Sequence, residues 1–474
     1  MYWQSNGRIT KTRGQVLVVK EIISELNQIV SRERVMSDRA ILTTYLRPTS
    51  GYTTGESEPV LPIAVVRPPT TDHVSQILKF ANDNGVPVVS FGGGTSLSGG
   101  LSASKPSILL DMSQMNNIVS VSLENSIATV QAGVTIETLD SVAQTGKVFV
   151  GHDPEMVGTT FGGAIATNGR GYLSAKYGSM GDQIHGLEVV MANGDIVTGS
   201  SIKDSYSSGL NLSNIFVGTE GIYGVITQAQ IVLFPEAEER RHYALEFPSF
   251  QHGFLGIQRL FAEGINPAMV NFVEAAQDSE DNKIVVDSMS KAVLHLSLEG
   301  SSLAVDEEEA KVWDLVSQLG ARDLGPTEAQ QFWLNRHSPN EDRSFSQSDA
   351  GLKINTAVPP SRVLELRQQA INIFDIAGIH VENCSILGRP EMFSLGIPSG
   401  QTEVSQENLR EAAEAVMTIA VDMGGAVEHS YGIGVRLNRP YANQLGDGGL
   451  HIARSLKEAL DPNGILNPGK ILLD

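Results

Sequence analysis

The sequence predicts an α+β protein of more than one domain, and three observations carry that reading. Up to residue 91, short apolar runs alternate with stretches of helical spacing, the order expected of strand, helix and strand. Three glycine-rich runs of small residues then fall between residues 92 and 227. After Pro235 the texture changes to mixed helices and strands with few glycine runs. At 474 residues the chain can hold two or three domains.

Within residues 16–46, Val19, Ile22, Ile23, Leu26 and Ile29 recur on one helical face, a packing face in a helical N-terminal segment spanning 1–60. Residues 63–68 read as a strand ended by Pro68. Thr71 stands where it would cap a helix carrying Val74, Ile77, Leu78 and Ala81 on one face, stopped at Asn84-Gly85. Residues 86–91 and 107–112 read as buried strands. Residues 186–197 form a hairpin pattern turning at Asn193-Gly194. Further on, 361–377 reads as a helix ended by Gly378, 407–422 as another, and the polar run 336–343 as a loop.

The first glycine run is the most specific feature. Gly92, Gly93, Gly94, Thr95, Ser96, Leu97, Ser98, Gly99 and Gly100 directly follow a strand. Glycines there let successive N–H groups turn inward and form a concave nest for phosphate or pyrophosphate. The dinucleotide fingerprint needs glycine at its sixth position and a helix after it. Here that position is Leu97 and a strand follows; no Gly-Lys-Ser/Thr follows either, so a Walker loop is excluded. The second run contains Gly158, Thr160, Gly162, Gly163, Ala166 and Thr167, and the third Gly218, Glu220, Gly221, Gly224, Val225 and Ile226. Three such runs within roughly one domain's length point to a long ligand threaded through backbone crevices.

Composition narrows the partners. Thirty-four basic residues against 54 acidic ones give a net charge of −20, which argues against nucleic acid and anionic membrane surfaces. The single cysteine, Cys384, allows no intrachain disulfide and no iron–sulfur cluster, and suits a reducing, cytoplasmic setting. Residues 1–15 lack a signal peptide's apolar core, and no apolar run reaches membrane-spanning length.

The order of motifs resembles a known family. Gly92-Gly93-Gly94-Thr95-Ser96, Gly151-His152-Asp153-Pro154, Thr160-Phe161-Gly162-Gly163, Tyr177-Gly178 and Gly218-Thr219-Glu220-Gly221 follow one another as in the p-cresol methylhydroxylase and vanillyl-alcohol oxidase superfamily. Within it, the sequence is most similar to glycolate oxidase FAD subunits, D-lactate and D-2-hydroxyglutarate dehydrogenases, and alkyl-dihydroxyacetone-phosphate synthase. The ending, Ala459 to Lys470 with Asn467, is similar as well. The resemblance implies a two-subdomain PCMH-type FAD-binding domain at 61–235, an α+β substrate-binding cap domain at 236–425, and a segment, 426–474, that returns to the first domain. It implies FAD, with the first loop at the pyrophosphate, the second around the ribityl and ring, and the third near the adenosine end. Asp153 and Asn467 join the cofactor-binding set on the same ground. Some relatives tether FAD through a histidine in the first loop; here Thr95 and Ser96 stand there, which implies non-covalent FAD.

In such enzymes the flavin carries the redox chemistry, while the protein supplies a base, an anion anchor and orientation. Relatives that act on 2-hydroxy acids commonly read Glu-His-Gly-Ile-Gly before the last helix; this chain reads Glu428-His429-Ser430-Tyr431-Gly432-Ile433-Gly434. Tyr431 thus takes the histidine's place, with His429 close by, and both are candidate acid–base residues. Segments around Arg336 and Lys353 resemble the family's carboxylate-contacting segments, and an arginine fork suits a carboxylate. The metal-ligand histidine pair of metal-dependent relatives is absent over 380–398, so no catalytic metal is expected, and Arg389 is a candidate charge anchor in its place.

The implied activity is an FAD-dependent oxidoreductase that oxidises a 2-hydroxy acid of the glycolate or D-lactate kind by hydride transfer to flavin N5. Three alternatives stay open. Tyr431 and the missing metal histidines favour an alcohol or phenol oxidase of the vanillyl-alcohol oxidase type. Residues 151–154 and 177–180 lean toward an alkyl-dihydroxyacetone-phosphate-synthase-like enzyme. A flavin subunit working with partner chains is the third. The electron acceptor is an outside molecule or a partner subunit, and a homodimer is compatible.

Overall fold

The computed structural model describes residues 16–46, 60–200, 210–275, 291–337, 351–398 and 405–472, with short strand segments at Trp3–Gln4, Arg8–Thr10, Gln277–Asp278 and Ile284–Val285. The rest of the N-terminal segment before residue 16, the 47–59 stretch and residues 338–343 of the expected polar loop lie outside the described residues.

Three sheets organise the chain. The first has four strands in the order Val35–Met36, Ala64–Val66, Ile108–Asp111 and Val88–Phe91, with the last three mutually parallel. Parallel neighbours need crossover connections. The helix Thr71–Asn84 supplies one, burying Val74, Ile77, Leu78 and Ala81. Gly85, in the left-handed conformation, stops that helix as the Asn84-Gly85 pair predicts. The N-cap is Thr70, one residue before the expected Thr71, whose hydroxyl instead donates to Glu188 at 2.6 Å.

The N-terminal helix is shorter than its spacing predicts. It covers Val19–Val30 and ends where Ser31 takes φ 78°. Residues after that turn enter the sheet as Val35–Met36, and a short helix, Arg39–Thr44, follows.

The second sheet is antiparallel. Its path runs Ile196–Ser200, Ile184–Val190, Val225–Pro235, Ile127–Gln131 and Ile118–Ser122, and Val148–Val150 also pairs with Val225–Pro235. The hairpin turns at Asn193-Gly194, where Gly194 has φ 87°.

After Pro235 the chain builds a seven-stranded antiparallel sheet, with Ala292–Gly300, Met269–Ala275 and Asn383–Leu387 at its centre and Leu352–Ala357 at one edge. Helices Phe250–Ala262, Ser302–Ser317, Val363–Ile376 and Gln406–Asp422 pack with it around fully buried Phe247, Phe250, Phe254, Phe272, Phe374 and Phe393. Each fully buried aromatic side chain contributes about 2–3 kcal/mol of hydrophobic stabilisation, so this core holds its sheet edge firmly.

The last segment returns to the first sheet. The Val88 N–H donates to Ile465 O at 2.8 Å, and the Asn467 N–H donates to Val88 O at 2.8 Å. Among the described residues, no helix is long and apolar enough to cross a membrane. The fold is thus mixed helix and sheet, in two halves joined by a returning C-terminus.

Candidate active site

The three small-residue runs wall one partly open crevice with a cavity volume of about 150 Å³. The first loop leaves the end of strand Val88–Phe91 and meets the second backbone to backbone. A Cβ on Gly93 would lie 2.0 Å from Gly158 O, so no side chain fits there. The C-terminal return closes over the same loop. Gly434 has φ 56°, and a Cβ on it would lie 2.1 Å from Ser98 O, which accepts hydrogen bonds from Val435 and Arg436.

Two non-glycine residues hold the left-handed conformation at this junction, Glu220 (φ 48°) and Asn467 (φ 40°). Backbone held in that region carries strain that its surroundings must over-determine. Here they do. Asn467 Nδ2 donates to Glu220 O at 2.6 Å and to Gly100 O at 3.3 Å. The Glu220 carboxylate accepts from the N–H groups of Ile433 and Gly434. Burial pushes its pKa up to about 7, opposed by those two N–H groups.

Most residues singled out in the sequence meet at this crevice. Gly92, Gly93, Gly94, Thr95 and Ser96 line it from the first loop, and Thr160, Gly162, Gly163, Ala166 and Thr167 from the second. Glu220, Gly221, Gly224, Val225 and Ile226 line it from the third, and Tyr431 and Asn467 from the C-terminal return. Gly99, Gly158 and Gly218 are not on the wall; with φ of 81°, 83° and 73° they turn the loops that form it.

Lys353, His429, Arg336 and Asp153 also lie off the wall. Arg336 Nε donates to Asp153 Oδ2 at 2.7 Å and its Nη1 to Trp333 O at 2.6 Å, with the guanidinium 3.8 Å from the Trp333 ring centroid. His337 Nε2 sits 2.8 Å from Asp153 Oδ1. Burial acts to raise the Asp153 pKa, but His337 and Arg336 more than reverse it and hold the carboxyl below its usual range. The expected anion anchor and the expected cofactor contact therefore satisfy each other, joining the cap to the loop at 151–155.

Arg389 lies against Glu391 (3.2 Å) and Ala175 O, also off the wall. Cys384 is buried, with its thiol pushed up to about 12 by burial, and packs in the cap core. Among the described residues, no three His, Cys, Asp or Glu side chains converge as metal ligands.

The polar end of the crevice is built by side chains from four segments. Tyr431 Oη donates to Glu155 Oε2 at 2.8 Å. Lys353 Nζ, from the cap's edge strand Leu352–Ala357, donates to Tyr431 Oη at 3.2 Å and to Glu155 Oε2 at 3.3 Å. Burial, then the Glu155 charge, raises the Tyr431 pKa well above its usual value, so the group is a neutral phenol. His429 has Nδ1 2.7 Å from Ser430 Oγ and Nε2 3.1 Å from Ser394 Oγ. Burial, then the Lys353 and Arg170 charges, lowers its pKa to about 3, so it is neutral as well.

Sequence reasoning missed Glu155, Arg170 and His152 as site residues, though all three line the crevice. His152 stands inside the Gly151–Pro154 motif and Glu155 directly follows it, while Arg170 directly follows Gly169, where the second glycine-rich run ends. Burial holds His152 neutral, with a pKa of about 4.

Comparison with known proteins accounts for this geometry. Residues 62–200 match an FAD binding domain, and residues 236–471 match the C-terminal domain of FAD linked oxidases. Glycolate oxidase subunit GlcD of Bacillus subtilis is 29% identical over 472 residues, covering 96% of this chain and 97% of that protein. D-lactate dehydrogenase of Archaeoglobus fulgidus is 30% identical over 446 residues, covering 90% of this chain and 96% of its own length. Among solved structures, 4-ethylphenol oxidase from Gulosibacter chungangensis superimposes with a TM-score of 0.77 at 20% identity, over 96% of this chain and 97% of that one, a likeness of fold. With both halves matched and full-length relatives aligned across the crevice and the cap, the chain belongs to the FAD-linked oxidases and is an oxidoreductase with FAD as its cofactor.

Proposed function

We propose that this enzyme oxidises a small 2-hydroxy acid at the Tyr431 end of the crevice. The observation that carries this reading is Arg170. Arg170 lines the crevice beside the second loop, and its side chain makes no hydrogen bond or ion pair among the described residues. A cation left open on a ligand wall suits a carboxylate, which its fork can pair with both oxygens. Full-length relatives named as a glycolate oxidase subunit and a D-lactate dehydrogenase support the same substrate class.

FAD would lie along the three loops without a covalent tether. The amides and hydroxyls of Gly92–Ser96 would take the pyrophosphate, Gly162, Gly163, Ala166 and Thr167 would leave room for the ring and ribityl, and Glu220–Ile226 with Asn467 would close the adenosine end. FAD, when bound, accepts the hydride that leaves the substrate's carbinol carbon. The chain's own residues do the rest. Arg170 orients the carboxylate, Tyr431 presents its hydroxyl oxygen to the substrate hydroxyl, and Lys353 fixes the Tyr431 ring and oxygen. Electrons then leave to an outside acceptor or a partner subunit, as the word subunit in one relative's name allows.

A second reading, oxidation of an uncharged alcohol or phenol, has one observation in its favour. Lys353 and Arg336 already hold carboxylates of the chain itself. Anaerobic mixing of the holoenzyme with D- and L-2-hydroxy acids, aromatic alcohols and phenols decides between the two. Bleaching of the flavin's blue absorbance by a 2-hydroxy acid is expected; bleaching by alcohols or phenols alone would replace the first reading with the second.

A further inference from the structure

We propose that Glu155 is the proton acceptor of the reaction, reached through Tyr431, so that a tyrosine–glutamate relay does the work of a catalytic histidine. The inference rests on the reading that a hydroxyl-bearing carbon is oxidised at this end of the crevice, but not on the substrate's carboxylate.

The geometry is that of a relay. Tyr431 Oη donates its proton to Glu155 Oε2 at 2.8 Å and receives one from Lys353 Nζ at 3.2 Å. A phenolic oxygen has two lone pairs and one proton. One lone pair faces Lys353, so the other can accept a substrate O–H while the phenol's own proton moves on to Glu155. Tyr431 and Glu155 both line the crevice, which puts the relay on the ligand wall.

The rival acceptors are placed differently. Tyr431 alone is a neutral phenol and can take up the substrate's proton only by passing its own on. His429 is off the wall, with both ring nitrogens against serine hydroxyls. His152 reaches the wall, but among the described residues it makes no hydrogen bond to Tyr431, and burial disfavours its protonation. The charged and titratable groups facing Tyr431 are Lys353, Glu155, Glu428 and Arg436, with Arg170 and His152 on the same crevice wall. Glu428 accepts from the Tyr431 backbone N–H and lies off the wall, so Glu155 is the carboxylate bonded to the phenol itself.

The step balances. The substrate O–H bond breaks and its proton passes to Tyr431 Oη. The Tyr431 O–H bond breaks and that proton passes to Glu155 Oε2. The carbinol C–H bond breaks as the substrate oxygen forms the carbonyl double bond, and bound FAD would supply the two-electron hydride acceptor that balances this oxidation.

The test uses the FAD-loaded enzyme and whichever hydroxyl substrate bleaches it fastest. Glu155→Gln keeps the size and hydrogen-bonding reach of the side chain but not its charge. We expect its limiting rate of flavin reduction to fall about 100-fold to 10,000-fold, the usual worth of an acid–base group, with FAD content unchanged. Glu155→Asp should recover part of that rate, and added formate should partly restore Glu155→Gly. A Glu155→Gln limiting rate within threefold of the unaltered enzyme would overturn the proposal, as would a defect confined to substrate affinity. So would His152→Asn stopping reduction while Glu155→Gln does not. If Glu155→Gln does not accumulate as holoenzyme, the unaltered protein carries the test. Its limiting rate in mixtures of light and heavy water should curve as two protons in flight require, and a linear dependence would overturn the relay. Failure of the substrate reading looks different: no 2-hydroxy acid reduces the unaltered enzyme, and the relay is then measured with the alcohol that does.

Discussion

Two carboxylates two residues apart, Asp153 and Glu155, meet the cap in opposite ways. Asp153 is closed off the crevice by Arg336 and His337, two cap residues that satisfy both of its oxygens. Glu155 stays on the crevice wall and meets a hydroxyl and an ammonium, Tyr431 and Lys353. Both are ion pairs between the first half of the chain and the cap, with similar partial burial: side-chain exposures are 13% for Asp153 and 19% for Glu155. The difference lies in what remains to be done. A carboxylate with both oxygens engaged and its pKa depressed is a strut. One bonded to a phenol that itself faces a ligand crevice can take a proton.

The strut and the relay respond differently to substitution. The largest effect after Glu155→Gln belongs to Tyr431→Phe. It removes the oxygen through which the proton travels, so flavin reduction should slow by about 100-fold to 10,000-fold in anaerobic stopped-flow while FAD stays bound. A rate within threefold of the unaltered enzyme would detach both residues from the chemistry.

Next is Arg170→Met. Loss of a charge-assisted contact worth about 1.5–3 kcal/mol should raise the KM for a 2-hydroxy acid by about 10-fold to 100-fold. The KM for a neutral substrate should barely move, and an equal change for both would sink the anchor.

Asp153→Asn should behave in the reverse manner, leaving the limiting rate near normal and lowering stability by about 1–3 kcal/mol in urea unfolding at pH 7. Because the folded pKa of Asp153 is depressed, its contribution is present above the unfolded value of about 4 and is lost as pH falls through the folded one. The stability gap between the unaltered protein and Asp153→Asn should therefore close below about pH 4. A gap that persists there would mean the contact acts by packing rather than charge.

The smallest effect is expected at Cys384, buried and with its thiol raised to about 12. Thiol-alkylating reagents should leave the activity of the folded enzyme unchanged, and inactivation would show that the cap core opens.

How much of this was legible in the sequence follows the same division. The crevice wall is backbone and small residues, so its signal is local: the glycine runs at Gly92–Ser96, Thr160–Gly163 and Glu220–Gly224 declare themselves without knowledge of the fold. The helix with Val74, Ile77, Leu78 and Ala81 inward was equally plain, because its period and its Gly85 stop lie within one stretch. The polar end was not, since it is made by topology. Glu155 lies 198 positions from Lys353 and 276 from Tyr431, and only the joining of the cap to the first half brings them together. Tyr431 stood out because a family motif surrounds it, while Glu155 and Arg170 had only their neighbours to recommend them. Arg336 shows the converse limit. Its residue type suits a substrate carboxylate, but Asp153 holds its fork and no pattern in the chain announces that pairing.

The most direct test of the central claim, that an open cation and a tyrosine at the end of the FAD crevice oxidise a 2-hydroxy acid, compares one substrate in two forms. The 2-hydroxy acid that bleaches the flavin fastest would be mixed anaerobically with the holoenzyme, and then its methyl ester. Rapid bleaching by the acid is expected, and bleaching by the ester only at concentrations about 10-fold to 100-fold higher, the loss that follows when Arg170 has no carboxylate to hold. Equal bleaching by acid and ester would contradict that claim and make the site that of an alcohol oxidase.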